Sequence, residues 1–183
     1  MAKWKVEKIG KHKAEISAPG IRYEVHASST SFELRAYKGK KALERVSIQH
    51  KGRHYSLEGV DKAGRKEHQS FDFKGNSVKS SGLIGGQKFS IGTSVCGYLP
   101  ALAAKLKKAK PIKLPHVTTF SKKFRSDDHL KDQIGKVVDT AMMLRAPDSV
   151  VVACLIICAE CFLIGTPIAC VFCDLCLRPD PPT

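Results

Sequence analysis

Acidic residues are scarce in this 183-residue chain, which has 17 of them against 31 lysines and arginines, a net charge of +14. They are also unevenly spread. Residues 148–183 contain four acids and one arginine, a local charge of −3, so residues 1–147 carry +17. This asymmetry indicates an anionic partner for the larger part of the chain, namely a phospholipid surface, a nucleic acid or a cell-wall polymer.

An apolar run is missing from the N-terminus. Residues 1–16 are interrupted throughout by lysine and other polar residues, whereas a secretory signal peptide needs a run of about 7 to 15 apolar residues. We therefore expect no ordinary signal peptide. The protein is predicted to be membrane-associated, or exported by another route.

Signatures of catalysis are absent as well. The sequence contains no P-loop, no dinucleotide-binding fingerprint and no HExxH motif. The acids of the N-terminal half fall singly among lysines, and the seven histidines are scattered, mostly beside Lys or Arg. These absences predict a non-enzymatic protein with no catalytic residues, no cofactor and no small-molecule substrate.

The first part of the chain has the pattern of an antiparallel sheet. From Trp4 to about Phe73 the apolar residues recur with a period of two, as in Ile21/Tyr23/Val25. Turn residues such as Lys38-Gly39 and Lys51-Gly52 separate these runs. We predict a basic antiparallel β-meander of six or seven strands within residues 1–98, in which 75–97 form a loop or a distorted last strand pair.

A lysine-rich segment follows, and we interpret residues 99–125 as a connector. It has eight basic residues and no acid between positions 101 and 125. Basic residues near an anionic leaflet contribute about 1 kcal/mol each. Six lysines are therefore the candidates for binding an anionic membrane surface: Lys105, Lys107, Lys108, Lys110, Lys122 and Lys123. Nucleic acid is the second partner that a pI near 9.6 suggests.

The segment 126–146 is predicted to be one amphipathic helix. Ser126 can cap it, Asp127 and Asp128 suit its first turn, and apolar residues follow at helical spacing before Ala146-Pro147. Its apolar stripe is expected to pack on the sheet.

The C-terminal segment 148–183 contains six of the seven cysteines, within CLIICAECFLIGTPIACVFCDLC. In helical form they make two triplets, separated by the stop and restart signal Gly165-Thr166-Pro167, so we predict a hairpin of two short helices. An antiparallel hairpin can place the triplets face to face in a nested order, although six cysteines allow other connectivities. The nested pairs are Cys161 with Cys170, Cys158 with Cys173, and Cys154 with Cys176.

Two other interpretations of this segment stay open. The inner cysteines have the C-x2-C-x8-C-x2-C spacing of a tetrathiolate zinc site, with Cys158, Cys161, Cys170 and Cys173 as the ligands. Alternatively, Val150 to Leu177 is a tail anchor, because it is long enough to span a membrane and has only Glu160 and Asp174 as charges.

A short apolar C-terminal segment dense in cysteines, joined to a larger polar N-terminal part, resembles the precursors of halocin-type bacteriocins and related cysteine-rich antimicrobial proteins. The resemblance covers residues 150–177. It implies a disulfide-stapled hydrophobic hairpin that acts on the membranes of competing cells and is carried and neutralised by its N-terminal region.

Taken together, the sequence predicts an α+β fold with an N-terminal β-meander, an amphipathic helix and a C-terminal cysteine-rich apolar hairpin. The predicted function is membrane association. The alternative is a tail-anchored or thiolate-binding protein whose basic domain binds anionic lipid or nucleic acid.

Overall fold

The computed structural model describes residues 3–142 and 147–176, without the side chains of residues 139–142, 147–152, 163, 175 and 176. It is an α+β fold, as the sequence predicts. Its sheet is an antiparallel meander in which each strand pairs only with its neighbours in sequence. The strands are β1 Lys5–Ile9, β2 Lys13–Ala18, β3 Ile21–Ser28, β4 Ser31–Lys38, β5 Lys41–Lys51, β6 His54–Val60, β7 Lys66–Lys74, β8 Ser77–Ile84 and β9 Gln87–Ser94.

The described sheet has nine strands, two or three more than expected. Residues 75–97, which we expected to be a loop or a distorted strand pair, include β8 and β9 in regular antiparallel register. One of the glycines that weaken the strand pattern there, Gly82, has a packing role. A Cβ atom added at Gly82 would lie 3.0 Å from the Phe89 ring and 2.2 Å from the His68 carbonyl oxygen. Only glycine therefore fits at this position.

Alternation of apolar and polar residues gives the sheet one buried face and one open face. Val25, Leu34 and Val46 lie opposite one another on adjacent strands and are fully buried. The open face is polar, and its charges pair across and along strands, as in Arg22 with Glu24 and Arg45 with Glu58.

Among the residues that the structure describes, five helices cover the buried face. They are α1 Val95–Lys105, α2 Pro115–Ser126, α3 Asp128–Met142, α4 Pro147–Leu163 and α5 Pro167–Cys176. Contacts between neighbours place them in the order α1, α4, α5, α2, α3, and we call them the helix layer. The C-terminal hairpin α4–α5 therefore lies in the middle of this layer, between α1 and α2, and its buried side chains belong to the same core as those of the sheet.

The segment 99–125 is not simply a connector, because it holds most of α1 and nearly all of α2. Val117, Phe120 and Phe124 recur at helical spacing and are fully buried, which supplies the burial that stabilises α2. The Ser94 side chain accepts a hydrogen bond from the Gly97 amide and caps α1. Only residues 106–114 remain as a non-helical link between α1 and α2.

Two buried carboxylates attach this link and the start of α2 to the sheet. The Glu44 carboxylate on β5 accepts hydrogen bonds from the amides of His116 and Val117, at the start of α2. The Glu67 carboxylate on β7 accepts one from the Ile112 amide. Since α2 begins at a proline and has no side-chain cap of its own, Glu44 satisfies amides that helix geometry leaves unpaired.

The predicted amphipathic helix over 126–146 corresponds to α3, with a different start. The Asp127 side chain, rather than that of Ser126, accepts a hydrogen bond from the Leu130 amide. Leu130, Ile134, Val137 and Val138 are buried and α3 packs on β1 to β4. The predicted end of this helix, at 143–146, lies outside the described residues.

Candidate functional site

The cysteine-rich hairpin α4–α5 contains two described disulfides, Cys158–Cys173 and Cys161–Cys170. The paired Cα atoms are 4.7 Å apart in both bonds, a separation typical of disulfides. These are the two inner pairs of the nested arrangement. Cys154 is also disulfide-bonded, whereas the other half of its expected pair, Cys176, lies outside the described side chains.

The hairpin turn follows the stop and restart signal of the sequence. Gly165 has a φ of 77° and its amide donates to the Glu160 carbonyl oxygen, which ends α4. The Thr166 carbonyl oxygen accepts the first intrahelical bond of α5, from the Cys170 amide, and Pro167 follows at the first helical position. The short turn brings the two cysteine triplets together.

The same four sulfurs were the ligands of the zinc alternative. In this structure they are bonded to one another, so a tetrathiolate site at these positions would require reduction of both disulfides. The described residues contain no other group of three or more His, Cys, Asp or Glu arranged to hold a metal ion.

One face of the hairpin is buried in the core. On α4 this face consists of Ala153, Ile156, Ile157 and Glu160, which recur at helical spacing. On α5 it includes Ile168, which lies so close to β6 that a Cβ atom at Gly59 would be 2.8 Å from its side chain. The hairpin is thus packed directly on the sheet.

Glu160 introduces a carboxyl group into this apolar interface, where it is fully buried. Its Oε1 accepts a hydrogen bond of 3.0 Å from the Thr166 hydroxyl, while Oε2 has no partner of normal geometry among the described residues. Burial raises the pKa of Glu160 to about 7, although Thr166 and the nearby Gln69 amide favour the ionised form. The Gln69 amide donates to the Tyr98 hydroxyl at 2.6 Å, so the network joins α4, β7 and α1.

The opposite face of α4 exposes large apolar side chains. Leu155 is 65% exposed and Phe162 is 77% exposed. They are seven residues apart and therefore lie on the same side of the helix. Most of the α4 sequence is apolar on every side, so periodicity could not indicate which face would meet the core.

The six lysines of the predicted anionic-surface set lie in or next to the helices that flank the hairpin. Lys105 is the last residue of α1, and Lys107, Lys108 and Lys110 follow in the exposed link. Lys122 is exposed on α2, whereas Lys123 is half-buried and pairs with Asp127 at 3.2 Å. Within the described part of the chain, Lys123 is the only one of the six in an ion pair.

A polar contact also ties α2 to the hairpin. The Asp174 carboxylate on α5 accepts hydrogen bonds from the Ser121 hydroxyl and from the Arg125 guanidinium, both at 3.1 Å. Ser121 is fully buried, so this contact fixes the position of α5 beside α2.

Within residues 3–142 and 147–176, no helix is long and apolar enough to cross a membrane. The stretch Val150 to Leu177 is long enough as a sequence, but its described residues, 150–176, are divided between α4 and α5.

Comparisons of this chain with models of known protein families, with curated proteins and with solved structures found no match.

Proposed function

We propose that this protein is a non-enzymatic protein that associates with anionic membrane surfaces through the outer face of its helix layer. The observation that carries the proposal is the exposed apolar face of α4, at Leu155 and Phe162, in the middle of that layer. Burying such a side chain contributes about 1.5 to 3 kcal/mol. On a folded protein, large exposed apolar side chains on the same side of a helix favour an interaction surface.

The basic residues supply the preference for anionic lipid. Lys105 belongs to α1 on one side of the hairpin, and Lys122 to α2 on the other. Each basic residue near an anionic leaflet contributes about 1 kcal/mol, and this contribution falls within a Debye length of about 8 Å at physiological salt. The binding is therefore expected to be reversible and to weaken with salt.

A bacteriocin-like precursor is the more specific form of the proposal. In it, the stapled hairpin is the membrane-acting part and the sheet covers its second apolar face, which contains Ile156, Ile157, Ile168 and Phe172. The halocin-type resemblance implies such a carrier. The burial of this face against the sheet supports the bacteriocin-like form, because release of the hairpin would expose additional apolar surface to lipid.

Co-flotation with vesicles tests the surface assignment. The full chain should float with phosphatidylcholine vesicles that contain phosphatidylglycerol, less with pure phosphatidylcholine, and less at high salt. The L155S/F162S double variant should lower the partition coefficient by at least about 100-fold, because it removes two apolar side chains that the bilayer would bury. Both side chains are exposed, so folding should be unaffected.

Ile9→Ser is the matched control, since Ile9 is 52% exposed on β1, outside the helix layer. Equal flotation of the wild type and L155S/F162S would contradict the proposal, as would equal losses in I9S and the double variant. Release of a trapped dye from the same vesicles separates membrane disruption, which the bacteriocin-like form requires, from surface binding alone. A gel-shift assay with a short DNA duplex tests the nucleic-acid alternative.

A further inference from the structure

A cleft of about 420 Å³ lies on the open face of the sheet, on the side opposite the helix layer. Its floor is formed by β4 to β7, and the turn between β6 and β7 makes one of its walls. Cavities of a few hundred Å³ are the usual size of small-molecule sites. The membrane surface proposed above does not include this cleft.

A β-bulge shapes the cleft. Ala36 pairs with Glu44 and Tyr37 pairs with Ala42, so Leu43 is an extra residue in β5. As a result two consecutive residues, Leu43 and Glu44, are buried, which interrupts the alternation of the strand. Bulges bend a strand and redirect its side chains, and they are common beside functional sites.

Four basic residues line the cleft. Arg35 and Arg45 are direct cross-strand partners, Arg45 faces Val60, and Val60 faces Lys66, so three cations share one row across β4 to β7. Lys62, in the β6–β7 turn, is the fourth. Like charges directly opposite each other on a sheet are destabilising. Here Glu33 and Glu58 offset the two arginines, so the net positive charge of the cleft comes from Lys62 and Lys66.

The two acids in the lining are turned away from a ligand. The Glu44 carboxylate accepts hydrogen bonds from the amides at the start of α2. The Asp61 carboxylate is buried and accepts hydrogen bonds from the Ala63 and Arg65 amides and from the Arg65 guanidinium, each at 2.7 to 2.9 Å. Both carboxylates are directed at protein donors, and the Arg65 guanidinium offsets the charge of Asp61.

Other acids hold the two arginines in place. Arg35 pairs with Glu33, and Arg45 pairs with Glu58 at 2.5 Å. By contrast, Lys62 and Lys66 are exposed and have no ion pair within the described part of the chain. The cleft thus combines two oriented guanidinium groups with two uncommitted ammonium groups.

We propose that this cleft binds a small phosphate-bearing molecule, with Lys62 and Lys66 as its main charge partners and Arg35 and Arg45 on its floor. Guanidinium and ammonium groups are the usual ligands of phosphoryl oxygens in proteins. The volume leaves room for more than one phosphoryl group or for an organic part attached to one. The proposal does not depend on membrane association, because the cleft and the helix layer are on opposite faces of the sheet.

Isothermal titration calorimetry of the full chain with inorganic pyrophosphate tests the proposal. We expect saturable binding with one site per chain. The K62A/K66A variant should weaken this binding by at least tenfold per lysine, since each substitution removes a hydrogen bond to a charged group. K79A/K88A is the matched control, because both of these lysines are exposed on β8 and β9 and their loss changes the net charge equally.

Amide resonances of Lys62, Gly64 and Lys66 should shift on titration, which localises the site. Saturable binding that is retained in K79A/K88A and lost in K62A/K66A supports the cleft. Absence of saturable binding would overturn the proposal. Equal weakening in the two double variants would also overturn it, because it would show that only net charge matters.

Discussion

Glu160 places a titratable carboxyl group between α4 and the sheet, and at this site its ionisation opposes folding. Its pKa is raised from 4.5 to about 7 by burial, whereas in the unfolded chain it keeps its ordinary value. The protonated form is therefore favoured by the folded state. Its contribution to stability is complete below pH 4.5, falls as the pH rises from 4.5 to about 7, and is lost above that.

Glu160→Gln is expected to remove this pH dependence. Each pKa unit corresponds to about 1.4 kcal/mol, so the variant should gain about 3 kcal/mol of unfolding free energy relative to the wild type at pH 8. The two proteins should be nearly equal at pH 4. Urea unfolding at several pH values measures the difference, and parallel stability curves for the two proteins would contradict it.

At the scale of elements, the disulfides determine how α4 and α5 are held together. Substituting Cys158 and Cys173 by Ala removes one bond across the hairpin. A disulfide across a sequence separation of 15 residues contributes up to about 3 kcal/mol to the free energy of unfolding. The contribution is smaller here, because Cys161–Cys170 still closes the same turn. We expect a lower unfolding free energy and faster cleavage of the hairpin by a protease.

Cys96→Ala is the control for that experiment, because Cys96 is a free and exposed cysteine outside the hairpin. It should leave the unfolding free energy within about 0.5 kcal/mol of the wild type. Unchanged protease resistance in C158A/C173A would show that core packing, rather than this disulfide, holds the hairpin.

Elements with a clear local signal were predictable from the sequence. Alternation identified β3 and β4, and Gly165-Thr166-Pro167 located the hairpin turn. The sequence does not indicate helix α2, because lysines precede it and stand between its buried residues Phe120 and Phe124, a composition typical of a solvated connector. The strands β8 and β9 were also obscured by glycine and serine, although Gly82 is required by the close approach of β7.

The parts of the candidate sites that the sequence did not indicate depend on tertiary structure. Nothing local shows that Leu155 and Phe162 would be the exposed side of an apolar helix, since every side of α4 is apolar. Arg35 and Lys66 are distant in sequence and share a row only through the registers of three strand pairs. The bulge at Leu43 leaves no clear signature, because Leu and Glu fit either face.

At the scale of the whole molecule, segments that differ in composition share one core. The charge of +17 on residues 1–147 and −3 on the remainder suggests a body with an appended tail. The structure instead inserts the tail hairpin between α1 and α2, where Ile157 and Phe172 join the same buried cluster as Val25 and Leu34. Composition alone would therefore assign the hairpin and the rest of the chain to separate units, although they share one core.

This shared core predicts a single cooperative unfolding transition. Trp4 is the chain's only tryptophan, and it stacks on Tyr23 with ring centroids 5.3 Å apart, at the β1 side of the sheet. Its fluorescence reports on the part of the fold that is farthest in strand order from α1. Far-UV circular dichroism at helical wavelengths reports on the whole helix layer, including the hairpin.

Since the hairpin is central to that layer, it cannot leave without exposing the core beneath it, so the two probes should give the same urea midpoint. Reduction with dithiothreitol should shift both midpoints downward together. Separate midpoints, with circular dichroism lost first, would instead show a hairpin that detaches from a stable sheet. That result would favour the bacteriocin-like form of the proposed function, because a detachable hairpin is what a carrier would release at a membrane.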